Sequence, residues 1–192
     1  MVEVGSALGM EVTAQITSMD HPIGHLLGNA HEVAESVACL KGEGPKDTME
    51  LVRMQGAALG ADVDAVIADG SALDAFAQMC RRQGVDEATV TSLIADPWSV
   101  LPRGSSRTTI VAPTSGWISG IDALALGRAL VQIGAGRTHP DDALDLGAGI
   151  ELLTTVGAPV EAGAPLAHID HNMAVGVPDV AGAFVIGAEA VS

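Results

Sequence analysis

The sequence predicts an α+β protein in two parts, a mainly helical stretch over residues 1–103 and a mixed, strand-rich stretch over residues 104–192. Apolar residues recur at helical spacing through much of the first hundred positions, and short β-branched runs cut by Gly and Pro dominate the rest. Between them "DPWSVLPRGSSR" (96–107) is rich in Pro, Gly and Ser and has no apolar periodicity, so it reads as a connection. The boundary falls near Gly104.

The elements follow in order. "MEVTAQIT" (10–17) alternates Val12, Ala14 and Ile16 with polar residues and reads as a strand running into the turn-rich "SMDHPIG". From Asn29, the residues Ala30, Val33, Val37 and Leu40 form one helical stripe, with Asn29 as N-cap, Gly42 past the end, and Glu32 and Glu35 off the stripe. A second helix opens at "PKDTMELV", where Asp47 and Glu50 have capping-box spacing. A third, "GSALDAFAQMCRRQG", is capped by Ser71 and closed by Gly84. Beyond Gly104 the runs "TTIVA", "GWISGI", "IELLTTV" and "PLAHI" read as strands. One helix interrupts them, capped by Asp122, lined by Leu126, Leu130 and Ile133, and stopped by "GAG". The turns "TSGW" and "VGAPVEAGAP" suit the sandwiched barrel of lipoyl and biotinyl carriers. Such carriers need a lysine at a hairpin tip, and the lysines here, Lys41 and Lys46, lie in the other part.

Composition limits the function. A chain of 192 residues buries roughly 70% of its unfolded surface and holds a core without disulfides. With 24 acidic against 9 basic residues and a net charge of -15, it repels phosphate backbones and anionic membranes, so neither nucleic acid nor membrane is expected as a partner. No unbroken apolar stretch approaches membrane-spanning length, and a soluble, cytoplasmic protein is expected. Cys39 and Cys80 occupy apolar helical positions and are expected as reduced, buried thiols. Aromatic residues are confined to Phe76, Trp98, Trp117 and Phe184, so the core must be aliphatic and platforms for stacking bases are lacking.

Three motifs raise the question of chemistry. "GAGRTHPDDALDLGAGI" (134–150) fails as a phosphate loop because position 139 is His, no Lys-Ser/Thr pair follows, and Asp141, Asp142 and Asp145 repel phosphate. It reads as a helix end, Gly134 and Gly136, followed by a turn in which Arg137 pairs with an aspartate. "HPIGHLLGNAHEVAE" carries His21, His25 and His31, which leaves a zinc hydrolase as a distant alternative. In "HEVAE", however, Glu35 stands where a zinc-peptidase helix needs its second imidazole. "HIDHN" places His168, Asp170 and His171 at a strand end, where it reads as a surface turn. No serine or cysteine sits in a G-x-S-x-G setting.

The same residues carry a resemblance. "MEVTAQITSMDHPIGHLLGNAHEVAESVACLKGEGP", "DGSALDAFAQMCRRQG", "TSGWISGIDALALGRALVQIGAGRTHPDDALDLGAGI" and "VGAPVEAGAPLAHI" are similar, in order and spacing, to the C-terminal part of the thymidine and pyrimidine-nucleoside phosphorylases. Gly28-Asn29-Ala30 with Glu32, Val33 and Glu35, and Gly134-Ala135-Gly136-Arg137 followed by Asp142, Asp145 and Gly149, are its most specific pieces. The resemblance implies the end of an α/β domain over 1–103 and an α/β-hammerhead, barrel-sandwich-like domain over 104–192. It implies a pentosyltransferase that cleaves a pyrimidine nucleoside with inorganic phosphate as co-substrate, giving free base and pentose 1-phosphate, with no catalytic cofactor.

It also implies a missing half. The family's phosphate loop and its pyrimidine-holding Arg, Ser and Lys lie upstream of the position matching Met1, so this chain alone is expected to be inactive. Its catalytic residues are not among these 192. A partial site for a monovalent cation or calcium carries over onto the backbone carbonyls of Ile23 and Leu26 and the carboxylate of Glu35, although Glu35 also reads simply as a solvent-facing helix carboxylate. Thr17-Ser18-Met19, His21-Pro22-Ile23, Ala158, Ala162 and Asp170 depart from the family pattern. The seam left for the missing half predicts a homo-oligomer, because apolar surface meant for burial faces water. A non-catalytic binding or assembly module derived from the family is the alternative reading.

Overall fold

The computed structural model describes residues 1–174 and 176–189. Helices fill the first part: α1 (Val2–Ala7), α2 (Asn29–Leu40), α3 (Lys46–Ala58), α4 (Val63–Ala68), α5 (Ser71–Arg82) and α6 (Glu87–Ala95). The strands follow β1 (Leu26–Leu27): β2 (Ser106–Val111), β3 (Gly116–Ile121), β4 (Gly149–Leu152), β5 (Pro159–Val160), β6 (Pro165–His171) and β7 (Phe184–Gly187), with α7 (Ala123–Gln132) after β3. The fold is α+β.

Aspartate caps start three of the helices. Asp62 accepts from the Ala65 amide, Asp86 from Thr89 and Asp122 from Ala125, each satisfying an amide that the first turn leaves open. Asp122 is the cap expected for α7, whose Leu126 and Ile133 are buried against the sheets. The other expected caps differ. Gly28 precedes α2, and the Asn29 side chain donates to the carbonyl of Ala135, 106 positions along, instead of capping its own helix. At α3, Asp47 turns away from a capping box to accept the Gly24 amide, and Glu50 pairs with Lys46. At α5 Gly70 holds the cap position and the Ser71 amide goes to Asp69, while Gly84 lies just beyond the end as expected.

Two antiparallel sheets, in strand order β1-β4-β6-β2 and β5-β3-β7, enclose an aliphatic core of Ile110, Ile118, Leu126, Ile150, Ile169 and their neighbours. Register decides the two faces of the larger sheet. Ile169 stands opposite Ile150 and Thr108, while Asp170 stands opposite Gly149 and Arg107, and His168 opposite Glu151 and Thr109. The first row enters the core and the other two point away from it, as the period of two requires. Helix α2 covers that second face, burying Ala30, His31, Ala34 and Val37 at helical spacing.

Two expectations are corrected here. Residues 10–17 form no strand: Ile16 is fully exposed, and without a partner its alternation has no face to bury. The strand near there is β1, whose Leu26 and Leu27 pair with Glu151 and Ile150 and so join the first part of the chain to the sheet of the second. Cys39 and Cys80 are free thiols, but half-buried rather than buried.

Candidate functional site

Two arrangements meet on α2. The first is the loop Gly24–Leu26. Glu35 Oε1 accepts from the amides of His25 and Leu26 at 2.8 and 3.1 Å, and Asp47 Oδ2 accepts from Gly24 at 3.0 Å. Three consecutive amides are thus held by two carboxylates on two helices. Gly24 has φ +78°, and a Cβ there would collide with Glu35 Oε2, so only glycine fits. Burial raises the Glu35 pKa, opposed by the two amide hydrogen bonds, and the Asp47 charge adds to the rise.

Beside this loop lies a cavity of about 520 Å³ whose lining includes His21, Ile23, His25, Lys46, Ile121 and Thr154. His21 Nδ1 stands 3.2 Å from both the amide and the carbonyl of Ile121. The lining combines apolar side chains with imidazoles, hydroxyls, an ammonium and the carboxylates of Asp47 and Glu50, a mixture that holds small polar molecules.

The second arrangement is buried and charged. Asp170 is 2% exposed and takes a bidentate grip from Arg107, with Nε to Oδ1 at 2.7 Å and Nη2 to Oδ2 at 2.9 Å. Its Oδ2 also accepts from Arg103 Nε at 2.7 Å and lies 3.0 Å from His31 Nε2. Both guanidiniums reach Glu151 Oε2, Arg107 at 3.0 Å and Arg103 at 3.6 Å. The Arg103 guanidinium lies 4.4 Å over the Trp98 ring, which meets the His31 ring edge-on with centroids 5.0 Å apart. Two carboxylates, two guanidiniums and a neutral imidazole sum to no net charge.

Their protonation follows from these contacts. Burial pushes Asp170 up, but hydrogen bonds from Arg107, Arg103 and His31 outweigh it and hold the carboxyl well below the usual carboxylate range. Burial lowers the His31 pKa against the opposing pull of Asp170. His31 Nδ1 is buried without a hydrogen-bond partner and faces Gly149, where a Cβ would overlap the ring. A proton on that nitrogen would be a buried donor with nothing to bond, so the ring is neutral and donates through Nε2.

The expected site residues are therefore sorted. "HIDHN" is no surface turn: residues 168–171 lie in β6, Asp170 and His171 are buried, and His171 Nε2 bonds the Thr108 hydroxyl at 3.0 Å. His21, His25 and His31 do not converge on a zinc site. His21 meets Ile121, the His25 amide meets Glu35, and His31 meets Asp170; among the described residues no three His, Cys, Asp or Glu side chains are placed to hold a metal. Glu35 is half-buried against the Gly24–Leu26 loop, with Ile23 just before that loop and Leu26 at its end.

In the 134–150 segment the helix does end at Gly134, with φ +91°. Arg137, however, forms no ion pair among the described residues. Asp142 accepts instead from the amides of Thr138 and His139, and Asp145 from Gly147 and Asn172. Arg103, Arg107, Glu151 and Trp98 escape sequence reasoning. The signal available is two arginines four apart in a connection of an acidic chain.

Residues 117–184 match the family described as pyrimidine nucleoside phosphorylase C-terminal domain. The chain is 37% identical to human thymidine phosphorylase over 189 residues, covering 90% of this chain and 39% of that protein. It is 39% identical to Mycobacterium tuberculosis thymidine phosphorylase over 179 residues, covering 90% and 40%, and 36% identical to Bacillus subtilis pyrimidine-nucleoside phosphorylase over 185 residues, covering 90% and 42%. Residues 117–184 thus match the C-terminal domain of that family, and similarity to proteins named as phosphorylases extends over nine tenths of the chain. It spans about two fifths of the length of these relatives.

Proposed function

We propose that this chain is the C-terminal portion of a pyrimidine-nucleoside phosphorylase. The whole protein cleaves a pyrimidine nucleoside with inorganic phosphate to free base and pentose 1-phosphate, and the chain alone is inactive. The observation that carries this reading is similarity over nine tenths of the chain to relatives named as phosphorylases, of which it spans only two fifths. Chemistry agrees. Phosphorolysis needs cationic and amide donors for phosphate and for charge growing on the leaving base. Here Arg103 and Arg107 are tied to Asp170 and Glu151 inside the fold.

The division into residues 1–103 and 104–192 belongs to this reading, with β1 and β4 joining the two domains. So does a monovalent cation or calcium held by the Ile23 and Leu26 carbonyls and Glu35, the remaining ligands coming from the upstream half. Homo-oligomerisation in the cytoplasm completes it. Exposed Leu8, Met10, Ile16, Met19 and Leu59, all in the first part, support a covered face there.

The test is the intact mass of the protein as its native source makes it, with thymidine and uridine phosphorolysis assayed on that product. A mass more than twice 19.4 kDa with phosphate-dependent release of base is expected. A product of that size releasing no base overturns the reading, and an inactive native product of 19.4 kDa favours a non-catalytic module.

A further inference from the structure

A closed circuit of contacts links the two arrangements on α2. Asp170 holds His31, and Glu35 follows His31 one turn later on the same helix. Glu35 grips the amides of His25 and Leu26, and Leu26 pairs with Glu151 across β1 and β4. Glu151 meets Arg103 and Arg107, which return to Asp170. The circuit closes through six side chains, five of them charged and one a neutral imidazole, and one strand pair.

We infer that Asp170 is a positioning residue for the Gly24–Leu26 loop, setting from β6 the place of helix α2 and through it the Glu35 clamp. Geometry carries this. His31 is fully buried between Asp170, Trp98 and Gly149, leaving its ring no alternative seat, so α2 cannot shift along its axis without breaking the Asp170 bond. On the opposite side, β1 is two residues long and its pairing with β4 is a weak hold by itself. Without Asp170, α2 keeps Ala30, Ala34 and Val37 as apolar anchors but loses the polar contact that fixes its register against the sheet. The loop then loses its definition while the sandwich core, on the other face of the same sheet, keeps its packing. The inference goes beyond the phosphorolysis reading and holds whichever nucleoside the whole protein cleaves.

Amide hydrogen exchange on the 192-residue chain, resolved by residue, tests it. In Asp170→Asn the amides of His25 and Leu26 are expected to exchange at least tenfold faster, while that of Ile118, in the other sheet, accelerates by no more than the loss of overall stability measured in urea accounts for. Glu35→Gln is expected to release the same two amides, and the double variant no more than the larger single effect, because both act through one circuit. If Asp170→Asn does not fold, Arg107→Lys keeps the charge and loses the bidentate grip, and a smaller acceleration at the same two amides is expected. Unchanged exchange at His25 and Leu26, acceleration at Ile118 beyond that overall loss, or fully multiplicative single effects would each overturn the inference.

Discussion

Asp170 Oδ2 lies 3.0 Å from His31 Nε2, across 139 positions of the sequence. This contact joins the helix that carries the loop clamp to the sheet that carries the core. Several measurable properties depend on it.

Removing the charge of Asp170 leaves two arginines facing each other and Glu151 alone. Breaking a buried ion pair from one side costs about 3–5 kcal/mol, and the lower end applies because both guanidiniums remain about a third exposed. Urea denaturation of Asp170→Asn is therefore expected to show a loss of about 3 kcal/mol; a loss within experimental error would mean that the arginines simply turn to water.

Acid acts on the same residues. The His31 pKa is lowered from 6.5 in the fold, so the unfolded chain binds its proton first. The stabilisation from a neutral His31 is complete above pH 6.5 and declines as pH falls below it. Asp170, held below its ordinary 3.8, adds a second loss below that value. Glu35 opposes both, since its raised pKa favours the folded state in acid. Urea midpoints measured from pH 7.5 downward should fall for the parent chain and fall less steeply for His31→Gln between about 6.5 and 5; parallel curves would remove His31 from the account.

Gly149 is the floor under His31. A methyl group there meets the imidazole head-on, and the ring is walled in by Trp98 and Asp170. Overpacking of this kind costs about 1–3 kcal/mol. Thermal denaturation of Gly149→Ala should show a lowered Tm. A Tm equal to the parent's would show that α2 moves aside without penalty.

The cation proposal has its own readout. If Glu35 shares an ion with the Ile23 and Leu26 carbonyls in the whole protein, potassium or calcium stabilises it by about 2.7 kcal/mol at a hundredfold excess over Kd, read as a raised Tm. Glu35→Gln in the same protein abolishes the increment. Equal salt effects in both proteins would leave Glu35 as a loop clamp only.

The elements that local chemistry defines were legible from the chain. Asp122 caps α7 as its side chain and position require, Leu126 and Ile133 face inward at helical spacing, and Gly84 ends α5. These depend on residues within one or two turns of each other. The alternation of 10–17 misled because period two specifies a strand only where another strand is present to pair with it. Asn29 and Asp47 misled for a related reason: each has a capping side chain, and each spends it on a distant backbone group.

By itself the sequence determined the α+β class, three of the six helices of the first part, the capped helix among the strands, and the resemblance to the phosphorylases. Tertiary structure alone decided that the polar face of β6 is covered rather than wet. "HIDHN" reads as a surface turn because outward-pointing polar residues of a strand ordinarily meet solvent. Here α2 lies over Asp170, and two arginines more than sixty positions upstream, Arg103 before β2 and Arg107 within it, neutralise what it buries. Charge compensation of that kind is a property of register and distance in space, which no local pattern of residues encodes.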